Sequence, residues 1–171
     1  MMMLETTYPS KHMYKATRTL IKARQPHSPY VIEVVTVQQV GGGRANDCFN
    51  NACEVLERIA GSTIASGWLV KKFNPIDKST EIVQHFWNVD KNGMHFDTTP
   101  VTENGLEYVD DCELNEYGQA NLENLTDCVA SSLLLKDEKF YAVNKVDERM
   151  LINPIESLNT RTLFRVAAIK S

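Results

Sequence analysis

The chain has 171 residues, 43% of them hydrophobic, with a formal net charge of −4. A chain of this length forms one domain with its own core, burying roughly two-thirds of the surface it exposes when unfolded. The negative balance excludes general binding to nucleic-acid phosphates, which needs a broad basic face, and the longest apolar runs fall far short of the roughly 20 residues of a membrane span. Met1 to Leu4 runs straight into Glu5, without the basic and then apolar stretches of a secretory signal. The expectation is a cytoplasmic protein whose four cysteines (Cys48, Cys53, Cys112 and Cys128) are thiols.

Residues 10–25 contain no breaker and mix Lys11, Lys15, Arg18, Lys22 and Arg24 with Met13, Leu20 and Ile21. They read as a helix with a solvated basic face, ended by Pro26 and Pro29. Tyr30 to Val40 is rich in Val and Ile and reads as one strand, broken by Gly41-Gly42-Gly43. From Asp47 to Ala60, Phe49, Ala52, Cys53, Leu56 and Ile59 recur at helical spacing. Asn46 or Asp47 caps that helix and Gly61 closes it. Three strands follow: Gly67 to Phe73, Glu81 to Val89 and Met94 to Thr98, the last two joined by the turn residues Asp90 to Gly93.

The stretch from Val101 to Asp127 is polar and gives no clear element, and its acidic residues Asp110, Asp111, Glu113 and Glu116 read as a solvated patch. A short helix is expected over 124–135, and late strands over 139–146 and 162–169. One helical portion followed by a mostly antiparallel sheet is an α+β pattern. The chain reads as a single domain over 1–171, with a core at about 30–100 and flanks 1–29 and 101–171 of unassigned role.

Cys48 stands where a glycine-rich break meets a helix start. There the positive end of the helix dipole favours thiolate, and the free N–H groups of the first turn can hold an oxyanion. The neighbouring Asp47 opposes this unless it is turned away. A thiolate nucleophile needs an imidazole to shuttle the proton, and the imidazole needs an acceptor to orient it. His85 and Asp97 lie on neighbouring strands of one hairpin, where side chains at matching heights come side by side. His95 competes for the imidazole role, since it shares a strand face with Asp97. The triple glycine lacks the Lys-Ser or Lys-Thr of a phosphate loop.

The run Gln84-His85-Phe86-Trp87-Asn88-Val89-Asp90, with Gly93 and Phe96-Asp97-Thr98-Thr99-Pro100 after it, resembles the His and Asp motifs of transglutaminase-like domains. Cys48-Phe49-Asn50-Asn51-Ala52 and Gly67-Trp68 are similar to small bacterial and phage members of that superfamily. The resemblance covers about residues 46–100. It implies a papain-like or transglutaminase-like core, with the Cys-bearing helix packed on the sheet. It further implies a catalytic triad of Cys48, His85 and Asp97 in a thiol protease, other hydrolase or acyltransferase, without a metal or organic cofactor. The His-x-Trp context ranks His85 above His95, and Trp87 is expected to shield the His–Asp bond. Where papain-type enzymes carry a glutamine ahead of the cysteine this chain has Gly42, so Asn46 and Gln39 are the candidate oxyanion donors. Asn51 lies one turn after Cys48 and is expected to steady the active-site loop or to serve as a cap. The expected partner is a peptide or protein substrate, with no nucleic acid and no membrane. The alternative is a non-catalytic binding or inhibitor module, phage-encoded, using the same fold.

Overall fold

The first helix, α1 (Lys11–Arg24), buries Met13, Ala16, Thr17, Leu20 and Arg24, a stripe at three- and four-residue spacing that makes one helix face. Met13, Ala16 and Leu20 pack on Trp68, Val70, Ile82, Val109 and Leu133 from the sheet. The computed structural model describes residues 11–101, 103, 105–121, 132–143 and 154–163, with the backbone alone over 117–121. Its described strands are β1 (Glu33–Val35), β2 (Val37–Gln39), β3 (Thr63–Val70), β4 (Thr80–Val89), β5 (His95–Asp97), β6 (Glu107–Asp110), β7 (Ser132–Lys136) and β8 (Lys139–Ala142). The remaining helices are α2 (Cys48–Arg58) and α3 (Cys112–Asn121). The architecture is α+β, and every described strand pair is antiparallel except β2 with β5.

The strand expected over residues 30–40 is instead two short strands that meet at Thr36. Val35 pairs with Tyr108 of β6, whereas Val37 pairs with His95 of β5. The sheet order runs β1-β6-β3-β4-β5-β2, so the two ends of that order are one kinked segment. It closes the sheet on itself as a small barrel, which removes two free edges. Ala65, Leu69, Trp87 and Tyr108 fill the inside, with Val35, Val37, Val89 and Leu106 against them. Helices lie on the outer face. Gly67 is required where it stands, because a Cβ there would meet the Val109 carbonyl oxygen at 1.8 Å and the Trp87 ring at 2.9 Å.

Along one side of β4, residues Thr80 to Val83 pair with β7 and Asn88 and Val89 pair with β5. Between them lies an interval with no strand partner on that side among the described residues, and the start of α2 packs there. Cys48 and Ala52 lie on Phe86, and the Asn88 amide donates to the Ala52 carbonyl at 3.0 Å. The cysteine and the histidine-bearing strand are therefore brought together by a gap in the ladder.

Several expectations are corrected. Residues 107–110 and 112–121, from the stretch that gave no clear element, form β6 and α3. Residues 132–136 form β7 rather than the end of a helix, residues 160–163 are helical rather than a strand, and the strand expected at 67–73 is Thr63–Val70. The remainder of the elements expected over 124–135, 139–146 and 162–169 lies outside the described residues.

Neither Arg24 nor Asp111 is solvated: both are fully buried. Arg24 Nε donates to Asp111 Oδ2 at 2.7 Å and Nη2 to Oδ1 at 3.2 Å, while Nη1 donates to the Leu158 carbonyl at 2.7 Å. Trp68 Nε1 donates to the same carboxylate at 3.0 Å. This fork-to-fork pairing satisfies both charges, and removing one partner strands the other in a dry interior. We expect Arg24→Met to lower the unfolding free energy by about 3–5 kcal/mol in urea denaturation. A change no larger than that of an exposed pair such as Lys15–Glu138 would contradict this account.

Candidate active site

Cys48 is the first residue of α2, and Asp47 is its N-cap residue. The first helical hydrogen bond runs from Asn51 N–H to the Asp47 carbonyl at 2.9 Å. The amides of Cys48, Phe49 and Asn50 therefore precede the helical ladder and can face a ligand. Asp47 makes no side-chain cap. Its carboxylate instead accepts from Arg44 Nε at 2.9 Å and Asn50 Nδ2 at 2.8 Å. Arg44, followed by Asn50, holds its pKa below the ordinary carboxylate value, so its charge is paired away from the thiol.

His85, on β4, projects into the barrel mouth beside Trp87 and Tyr108, with ring centroids at 6.2 and 5.8 Å. Its Nε2 lies 2.6 Å from Asp97 Oδ2. With that nitrogen taken, Nδ1 is the one left free, and Cys48 stands with His85 in the wall of one cavity. Burial lowers the affinity of the ring for a proton, but hydrogen bonds to Asp97 and then Cys48, together with their charges, outweigh it and raise the His85 pKa to about 9. Sandwiching the ring between a carboxylate and a sulfur therefore favours imidazolium at neutral pH.

The Asp97 carboxylate, 1% exposed, is saturated with donors. Oδ2 accepts from His85 and from the Tyr108 hydroxyl, each at 2.6 Å, and Oδ1 accepts from Thr99 N–H at 2.9 Å. Gln39 Nε2 in turn donates to the Tyr108 hydroxyl at 2.6 Å. Burial first, then the bond to Asp97, push the Tyr108 phenol far above its ordinary value, so it stays a neutral donor. Gln39 thus stands at the carboxylate end of the chain of bonds, engaged with Tyr108 rather than offered beside the sulfur as an oxyanion donor.

Asn51 is buried and ties two segments together. Its Oδ1 accepts from Arg44 N–H at 3.0 Å, and Nδ2 donates to the Arg44 carbonyl at 2.8 Å and to Thr99 Oγ1 at 2.9 Å. It clamps the loop before Cys48 to the turn after Asp97. Gly43 makes this clamp possible, since a Cβ there would sit 2.7 Å from the Asn51 side chain. Trp87 Nε1 donates to His95 Nδ1 at 2.9 Å, so His95 supports the tryptophan and is not the imidazole that meets Asp97.

A cavity of about 200 Å³ opens over the sulfur, bounded by Cys48, His85, Asn46 and Gln84. Leu69, Val83, Val101 and Leu106 supply its apolar side, with Lys71 and Glu103 also in the wall. Asn46 has φ 58°, the left-handed turn that brings the chain into the helix. Among the described residues no cluster of His, Cys, Asp or Glu is arranged to hold a metal ion, and no helix is long and apolar enough to cross a membrane. No protein family, curated protein or solved structure matches this chain.

Tyr108 and Thr99 were not among the site residues expected from sequence. Tyr108 lies in the polar stretch without clear periodicity, and Thr99 holds Asp97 through its backbone N–H, which no residue-type pattern shows. The raised His85 pKa carries a signed prediction. The folded state keeps a proton that the unfolded chain releases near pH 6.5, so the resulting stability is full below that pH and is lost as pH rises through about 9. In histidine-ring NMR titration His85 should stay protonated at pH 7.5, and wild type should lose stability relative to His85→Gln between those two pH values. A ring that titrates at or below pH 6.5 would refute the assignment.

Proposed function

We propose that this protein is a cysteine-dependent hydrolase or acyltransferase acting on an amide or related acyl bond, with a papain-like or transglutaminase-like core. One observation carries the reading: a buried His85–Asp97 pair whose ring lines one cavity together with the Cys48 thiol. A structural histidine would need neither an unusually high proton affinity nor a thiol at a helix start as its second neighbour.

In this reading Cys48 sulfur attacks the acyl carbon as the thiolate of an ion pair with the His85 imidazolium. The imidazolium gives its proton to the departing amine, and neutral His85 then deprotonates the incoming water or amine that releases the acyl group. Asp97 holds the ring in the tautomer that leaves Nδ1 toward sulfur, and Tyr108 and Thr99 hold Asp97. The cavity admits a small acyl portion of a peptide or protein. Of the acidic residues between 110 and 116, Asp111 is buried against Arg24 and is not offered to a partner.

Iodoacetamide labelling at mildly acidic pH tests the activated thiol directly. Burial, followed by Glu57, pushes the Cys53 thiol up, and burial, followed by Asp110, does the same at Cys112, so both remain protonated. Mass-spectrometric mapping should find Cys48 alkylated well before either, and His85→Ala should slow Cys48 by about 10²–10⁴-fold if the ring acts as base. Equal labelling of Cys48 and Cys53 would sink the proposal. Tyr108→Phe removes a donor to a buried carboxylate and should slow turnover by about 10–100-fold, the equivalent of roughly 1.5–3 kcal/mol, leaving substrate KM near its wild-type value. An unchanged kcat would remove Tyr108 from the machinery.

A further inference from the structure

Gln84 immediately precedes His85 on β4, lines the cavity that holds Cys48, and is 4% exposed. Its Nε2 is buried and has no hydrogen-bond partner among the described residues. Leaving a buried amide nitrogen unpaired is costly, and native proteins leave few such groups. Among the described residues the other buried side-chain atom without a partner, Asn88 Oδ1, belongs to an amide whose nitrogen is already bonded to the Ala52 and Thr63 carbonyls. It braces α2 on β4. Gln84 makes no such brace. Rotation about its last side-chain bond exchanges nitrogen and oxygen within nearly the same envelope, so the donor can be presented at the cavity wall.

Acyl transfer from Cys48 requires two donors at the oxygen that becomes negative. The free amide at the start of α2 supplies one, Gln39 is engaged with Tyr108, and Asn46 in the cavity wall is exposed to solvent, where water competes for its amide. We propose that Gln84 is the second oxyanion donor and hence a catalytic residue, an inference that rests on the acyl-transfer reading above. As sulfur forms its bond to the acyl carbon, the carbonyl π pair moves onto oxygen, and that oxygen accepts from Gln84 Nε2 and the Cys48 backbone N–H. When the intermediate collapses the C=O bond re-forms and the bond to the leaving group breaks. An amine leaves with the His85 proton, and an activated phenol leaves as phenolate. The neutral amide suits this role, whereas a carboxylate at the same position would repel the developing charge.

Two reactions at the same sulfur separate the oxyanion role from a structural one. Iodoacetamide alkylation displaces iodide and forms no oxyanion, whereas p-nitrophenyl acetate must pass through one, and its acetyl group is small enough for the cavity. In Gln84→Met, acylation of Cys48 by p-nitrophenyl acetate should fall by about 10²–10³-fold while alkylation keeps its wild-type rate, and Gln84→Glu should acylate no faster than Gln84→Met. Gln84→Met, which relieves an unpaired buried amide, should be at least as resistant to thermal unfolding as wild type. Acylation at the wild-type rate in both variants would overturn the role of Gln84 and leave the triad standing. Parallel loss of alkylation and acylation, with earlier unfolding, would make Gln84 structural and also overturn it. Should wild-type Cys48 neither acylate nor alkylate ahead of Cys53, the acyl-transfer reading falls and the Gln84 proposal falls with it.

Discussion

A buried carboxylate without partners is among the most costly groups a fold can hold, and Asp97 has its partners drawn from every side of the barrel mouth. The His85 ring comes from β4, the Tyr108 hydroxyl from β6 and the Thr99 amide from the turn just beyond β5. Gln39, on β2, reaches the same cluster through Tyr108. The bonds from Tyr108 to Asp97 and from Gln39 to Tyr108 run between strands that are not neighbours in the sheet, and they form when the segment kinked at Thr36 has closed it. Barrel closure and the electrostatics of the site are therefore one constraint: the hydrogen bonds that satisfy Asp97 also fix the height and tilt of the imidazole.

The second buried carboxylate, Asp111, works outside the barrel. It receives Arg24 from α1 and Trp68 from β3, and Arg24 extends the network to the Leu158 carbonyl and Thr160. Segments far apart in sequence thereby converge at the end of β6, the strand that carries Tyr108 into the interior. Clamping β6 from outside supports the position of the tyrosine inside. Residues 101–171 thus contribute to the site through Tyr108 and through the Arg24–Asp111 pair, although their sequence carries no recognisable motif.

The elements around the site were legible where side-chain periodicity is strong. Phe49, Ala52, Cys53 and Leu56 mark α2, and the turn at Gly93, with φ 81°, marks the hairpin that carries His85 and Asp97. Elements failed to show where burial departs from residue type. Arg24 and Asp111 have the composition of surface, and nothing local distinguishes them from Lys22 and Asp110. Ser132 to Lys136 has three consecutive leucines, a run compatible with helix or strand, and pairing with β4 makes it a strand. Residues 30–40 read as one strand because pairing partners leave no mark on a short run of Val and Ile.

What the sequence alone determined is the order and chemistry of a cysteine at a helix start and a histidine and aspartate on one hairpin, because capping and turn preferences act over a few residues. What the tertiary structure decided is which ring nitrogen meets Asp97, that Tyr108 also donates to that carboxylate, and that the Gln84 side-chain nitrogen has no partner among the described residues. Packing of α1 on the outer face of the sheet decided that Arg24 and Asp111 are buried. Those outcomes depend on contacts between residues tens of positions apart, where burial and hydrogen-bond satisfaction in three dimensions override the polarity of each residue alone.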